Sequence, residues 1–189
     1  MMEKRFLPIQ EMKTRADESG DKYISGYFAV FNSNYNLWDG ASESIAPGAF
    51  DDSIAGDVRA LYNHNDDLIL GRVSAGTLRL NQDAHGLWGE IKVNQKDTDA
   101  TNAFERVARG DITGCSIGFE IREEETEWRD DGSVHWTIKK IDPLYEVSPC
   151  VFPAYEETNI SARSKEHKEI EKRKREIWKN NMKERLKNA

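Results

Sequence analysis

The chain has 189 residues, 38% hydrophobic and 32% charged, with a formal net charge of −7. That length supports one domain with a real core, and the composition is that of a folded soluble chain rather than a disordered one. No apolar run approaches the roughly 20 residues a membrane helix needs, and the charged N-terminal stretch lacks the apolar core of a secretory signal, so neither is expected.

The charge is unevenly spread. Residues 163–189 hold 11 Lys and Arg against 5 Glu, whereas the remainder holds 16 against 29 Asp and Glu. An acidic body argues against broad nucleic-acid binding, while a basic tail suits nucleic acid or an acidic protein. The two cysteines, Cys115 and Cys150, are expected to be reduced thiols in a cytoplasmic compartment. Two are too few for a structural zinc site, and no metal or organic cofactor is expected.

In chain order, residues 23–31 (YISGYFAVF) are rich in aromatic and β-branched side chains and predict a strand. Asn32 to Asn36 and Asp39-Gly40 read as turns. Residues 44–50 predict a short strand entering a turn at Pro47-Gly48. Residues 58–64 alternate and predict a strand ending at His64, followed by a polar loop, Asn65 to Asp67. Short strands follow at 68–73 and 77–80, and Asp83 to Gly86 turns into a strand over 87–93. His85 sits in that turn and reads as a turn residue. Ala103, Phe104, Val107 and Ala108 fall at helical spacing, with Asp97 or Thr98 as N-cap and Gly110 as C-cap. Strands are then expected at 112–122, 134–141 and 144–151. His135 reads as a surface residue of a hairpin. From Arg163 onward, Ile170, Ile177, Trp178, Met182 and Leu186 form a narrow apolar stripe on a basic helix. Two readings stand side by side: a solvated helix with a weak packing stripe, or a detachable tail that docks on a partner helix. His167, in that tail, is not a persuasive candidate for chemistry.

The chemistry concentrates at Gly114-Cys115-Ser116-Ile117-Gly118-Phe119. Alternation along a strand puts Cys115, Ile117, Phe119 and Ile121 on one face, which reads as core. Gly114, Ser116 and Gly118 share the other face. A serine flanked by two glycines on its own face is sterically bare and open to a peptide carbonyl. Cys115 points away and reads as a small core residue rather than a nucleophile. The string also fits G-x-S-x-G, but a nucleophile elbow needs a strand, a sharp turn and a helix, and this segment runs on as strand. A serine needs a base, and His64, at a strand end beside a polar loop, is the candidate. A third group should hold the imidazole. Glu146, a carboxylate inside an apolar strand, invites a buried partner; Asp142 and Asp111 are the alternatives.

The ordered set PGAF (Pro47 to Phe50), LYNHN (Leu61 to Asn65) with LGR (Leu70 to Arg72), GCSIGF (Gly114 to Phe119) and EVSPCVFPAY (Glu146 to Tyr155) resembles the prohead proteases of tailed phages, themselves distantly similar to herpesvirus assemblins. The resemblance covers roughly residues 20–160. It implies a mainly β fold with helices (α+β), a single assemblin-like β-barrel ringed by helices, with a C-terminal helical tail. The expected segments are an N-terminal extension over 1–20, the protease domain over 21–162 and the basic tail over 163–189. The resemblance implies a serine endopeptidase that cleaves scaffold and major capsid protein segments, and itself, inside the assembling prohead in the host cytoplasm. A homo-oligomer is expected; membrane and nucleic acid are not expected as partners. The family's serine maps onto Ser116 and its histidine onto His64. Assemblins use a second histidine as third member; here Glu146 stands in the matching region, and the assemblin oxyanion arginines have no counterpart. A non-catalytic capsid assembly or scaffold protein is the alternative, and an esterase using the same pair is a further one.

Overall fold

The computed structural model describes residues 3–7, 12–151 and 164–187. Eleven strands and two helices are described: β1 (Glu3–Leu7), β2 (Lys13–Ala16), β3 (Lys22–Val30), β4 (Tyr35–Trp38), β5 (Ala41–Ile45), β6 (Arg59–Tyr62), β7 (Asn65–Arg72), β8 (Leu78–Gln82), β9 (Gly86–Lys92), α1 (Thr98–Arg109), β10 (Gly114–Trp128), β11 (Val134–Cys150) and α2 (Ser164–Lys187). The fold is α+β and mostly strands. The strands form two sheets, one of seven strands along the path β1-β10-β11-β5-β4 with β6 attached to β11 and β7 to β6, the other of four in the order β2-β3-β9-β8. The barrel implied by the resemblance is not closed by the ladders among the described residues.

One core joins the sheets. Ile24 and Phe28 of β3, Leu87 and Ile91 of β9, Cys115, Ile117 and Phe119 of β10, and Val147 of β11 are all fully buried in it. The core face expected for β10 is therefore the observed one, with Ile121 only partly buried. Helix α1 adds Ala100, Ala103, Phe104 and Val107, spaced so that all four lie on one face. Asp97 caps it by accepting from the N–H groups of Asp99 and Ala100, and Gly110 ends it in the left-handed conformation at φ 83°. Burying one side chain the size of Phe104 stabilises the fold by about 1.5–3 kcal/mol.

Several strand assignments differ from the sequence reading, which placed no strand over 3–7 or 13–16. Asn65 to Asp67 continue as strand, not loop, because β6 and β7 form a two-stranded ribbon whose outer residues are exposed on both faces and so show no alternation. Residues 35 and 36, read as the end of a turn, instead begin the strand over 35–38 that pairs with β5, since Leu37 and Trp38 are buried against Val134, Trp136 and Ile170. β11 runs unbroken through Pro143. β5 flanks only residues 134–138 and β6 only residues 146 and 147, so the proline lies where no strand flanks that side of β11 and where the β10 register shifts.

Helix α2 packs its first half on the second cluster. Ile170 is fully buried there, Arg173 stacks over the Trp128 ring at 3.8 Å, and Lys174 Nζ bonds Asp39 Oδ2 at 2.7 Å. Trp178, Met182 and Leu186, further along, stay exposed.

His135 is buried, contrary to the surface position expected. Its neighbour in the parallel β5 ladder is Ser42, so its ring lies between the Ser42 Oγ at 2.8 Å from Nδ1 and the Ser44 Oγ at 2.9 Å from Nε2. Burial, with the Arg129 charge, pushes the imidazole below its ordinary pKa, against the opposing pull of Glu127 and Glu43. The folded state thus resists a proton that the unfolded chain takes up near pH 6.5. Stability from this site is present above that pH and falls as pH drops below it. In His135→Gln the loss of Tm between pH 7.5 and 5.5 should shrink by a few degrees, at roughly 2–4 °C per kcal/mol. Thermal melts across that range check it.

Candidate active site

The site is built on the β10–β11 ladder. Ser116 lies directly opposite Ser148, and Gly118 opposite Glu146. Residues facing each other across an antiparallel pair project from the same side of the sheet. Ser116, Gly118, Glu146 and Ser148 therefore share one face, and the apolar residues between them point to the core.

Glycine at 118 makes room for the acid. A Cβ there would lie 2.6 Å from Glu146 Oε1. Without it, the Glu146 carboxylate lies flat across β10 while remaining almost fully buried. A buried carboxylate is costly unless both oxygens are satisfied. Here Oε1 accepts from His64 Nδ1 at 2.6 Å and Oε2 accepts from Ser148 Oγ at 2.5 Å.

His64 reaches this face from a turn. Asn63 and His64 have φ of 58° and 61°, and Tyr62 pairs with Asn65 across them. This is the two-residue hairpin turn in which both central residues adopt the left-handed conformation. Asn and His are among the few non-glycine residues enriched there. The turn is tied to the end of β11: the Asn63 N–H donates to Pro149 O at 3.0 Å, and Asn63 Oδ1 accepts from the Val151 N–H at 3.1 Å. β6 itself joins β11 in parallel, with Arg59 beside Glu146 and Ala60 beside Val147. The His64 N–H lies 3.4 Å from Ser148 Oγ as a weak donor. Backbone strain at a polar cluster of this kind is a mark of sites where geometry matters more than local comfort.

An ionised carboxylate only accepts, so its bond fixes the tautomer: Nδ1 carries the proton and Nε2 presents a lone pair. The His64 side chain keeps 19% exposure while that of Glu146 has 4%, leaving the ring half open and its anchor dry.

Of the carboxylates considered in the sequence, Glu146 alone touches His64 among the described residues. Asp142 lies 3.7 Å from Arg122, and Asp111 pairs with Arg109, both on the surface. Burial pushes the Cys115 thiol far above its ordinary pKa and its Sγ contacts Tyr27 O, as suits a core residue and not a nucleophile. His85 stays at its turn against the Tyr27 ring, and His167 packs on Trp38. No group of three or more His, Cys, Asp or Glu suited to a metal occurs among the described residues. Two contributors, Ser148 and the Asn63 clamp, escaped the sequence reading, and the room that Gly118 makes for Glu146 escaped it too. Ser148 carried a signal, being two residues from Glu146 and so on its face of the strand. Gly118 carried one as a bare neighbour of Ser116. The clamp by Asn63 carried none.

A serine on the same strand face as a buried carboxylate that holds a histidine supplies the residue types of a serine hydrolase. Residues 10–173 match the family described as Caudovirus prohead serine protease. The chain is 28% identical over 163 residues to the prohead protease of Enterobacteria phage HK97, covering 84% of this chain and 68% of that protein. The bacteriophage T4 capsid assembly protease gp21 aligns over 77% of this chain and 98% of its own with a TM-score of 0.41 at 11% identity. The chain belongs to the caudovirus prohead serine protease family and is a serine protease.

Gly118→Ala should drive a methyl group into the Glu146 carboxylate and separate it from His64. The expected result is loss of the low-field Nδ1 proton resonance of His64 in NMR spectra, with a destabilisation of about 1–3 kcal/mol. Ser148→Ala, which removes only one donor, should keep that resonance but shift it.

Proposed function

We propose that Ser116 is the nucleophile, His64 its general base and Glu146 the group that orients His64, in a protease acting on scaffold and major capsid protein segments during prohead maturation. The observation that carries this reading is the 2.6 Å bond from His64 to a buried Glu146 on the face that bears Ser116. In the reaction, Ser116 Oγ attacks a peptide carbonyl carbon as its proton passes to His64 Nε2. The C–N bond breaks, and His64 returns the proton to the leaving amine. Water then attacks the acyl carbon, giving a proton to His64; the bond from that carbon to Ser116 Oγ breaks, and His64 passes the proton to Oγ, releasing the acid and restoring Ser116. Glu146 stays ionised and balances the imidazolium formed in each half.

Several features support the reading beyond the site. A capsid-maturation role follows the family and the HK97 relative, and the substrate has to be extended at the cleaved bond, as flexible scaffold segments are. The segment division at residues 20 and 162, a closed barrel, self-cleavage and a homo-oligomer remain part of this proposal. The tail is proposed as the element that carries the enzyme into the shell with a helical scaffold. Its charge split and the exposed Trp178, Met182 and Leu186 support that role. The end of the fourth motif, residues 152–155, lies outside the described residues.

Co-expression with the major capsid protein tests the assignment by loss of that protein's N-terminal segment on gels and in mass spectra. Ser116→Ala should abolish the cleavage while leaving the fold intact, since serine and alanine occupy similar volumes. Glu146→Gln should lower the rate by about 1,000-fold or more through loss of the correct tautomer. Cleavage that survives Ser116→Ala would overturn the nucleophile assignment.

A further inference from the structure

A strand in a sheet has two edges along which another strand can pair. In β10, the strand that carries Ser116, one edge is taken by β11 along nearly its whole length, from Gly114 opposite Cys150 to Trp128 opposite Val134. The other edge is taken at its catalytic end by the chain's own N-terminal strand. β1 runs antiparallel to β10 with Glu3 opposite Phe119, Lys4 opposite Gly118, Arg5 opposite Ile117, Phe6 opposite Ser116 and Leu7 opposite Cys115. Ser116 sits in the middle of this three-strand ladder and is only 1% exposed.

A nucleophile has to be reached by its substrate. An extended peptide commonly binds by adding itself as a strand to an open edge, with main-chain hydrogen bonds setting its register. Beside Ser116 only one edge is free for that, and residues 3–7 hold it. β1 is five residues long, lies at the end of the sheet path and, among the described residues, pairs with no strand other than β10. Short edge strands are the elements that open at least cost.

We propose that the β10 edge opposite Ser116 is the binding site for an extended substrate peptide, and that residues 3–7 occupy it as a built-in competitor. The proposal rests on the assignment of Ser116 as the nucleophile. Tethering gives the N-terminal strand an effective concentration on the order of millimolar. A dilute peptide loses to such a competitor, whereas substrate segments crowded at comparable concentration displace it. Proteolysis is thereby favoured where substrate copies are packed together.

The test uses the full chain. Lys4→Pro/Arg5→Pro removes the N–H of two adjacent residues, so the ladder to β10 is lost whichever of the two faces it. The probe is a fluorescein-labelled synthetic peptide of residues 1–12, followed by fluorescence anisotropy. It should bind the double-proline variant at least 10-fold more tightly than the unaltered chain. Once bound, it should slow labelling of Ser116 by a small fluorophosphonate by 10-fold or more. Equal binding to both chains, no binding to the variant, or binding without protection of Ser116 would each overturn the proposal. The label separates this from the reading beneath it. A fluorophosphonate that fails to react at Ser116 in any chain removes the nucleophile assignment itself, while reaction without protection removes the edge proposal alone. Hydrogen exchange on the unaltered chain gives a result independent of the variant's folding. Amides of residues 3–7 should exchange at least 100-fold faster than those of residues 146–148. Equally slow exchange would make β1 a permanent strand and end the proposal.

Discussion

The bond between His64 and Glu146 is the contact on which the site depends. It joins a turn residue to a carboxylate buried between two strands, and each end is held by something else. The carboxylate fits because residue 118 has no side chain, and its second oxygen is satisfied by Ser148. The imidazole arrives because Asn63 and His64 adopt a turn that most residues avoid, pinned to β11 by Asn63. Removing the donor to a buried carboxylate oxygen leaves that oxygen unsatisfied, which typically costs about 1–3 kcal/mol or more. A contact of that size is large enough to set the position of the hairpin, not merely to decorate it.

The ladder of β10 and β11 divides its labour by face and by edge. One face gives Cys115, Ile117, Phe119 and Val147 to the core, and rigid packing there fixes the backbone from which Ser116 projects. The other face carries the polar set. Register shifts begin immediately beyond Gly118, where β10 leaves the site and continues as an exposed acidic arm. Bulges commonly sit beside functional sites, where they let a strand change direction without disturbing the residues before it. The edges matter as much: β11 supplies the acid, and β1 occupies the side from which a peptide would approach.

The second buried cluster serves a different end. Trp38, Trp136 and Ile170 attach the first half of α2 to the far part of β11 and to β4 and β5. The apolar side chains further along the helix find no such cover. The same helix is thus anchored at one end and exposed at the other.

The sequence by itself determined the local chemistry. Helical spacing and its caps located α1, alternation separated the core face of β10 from the face of Ser116, and a lone carboxylate inside an apolar strand marked Glu146 as a residue in need of a partner. These are properties of neighbours along the chain, so spacing alone reveals them. The tertiary structure decided which of Glu146, Asp142 and Asp111 meets His64, because 82 residues separate His64 from Glu146 and only the parallel pairing of β6 with β11 brings them together. It also buried His135 between two serines and laid residues 3–7 along β10. Those outcomes depend on which strands become neighbours. Long-range pairing is set by the collective burial of the core, and no short stretch of sequence encodes it.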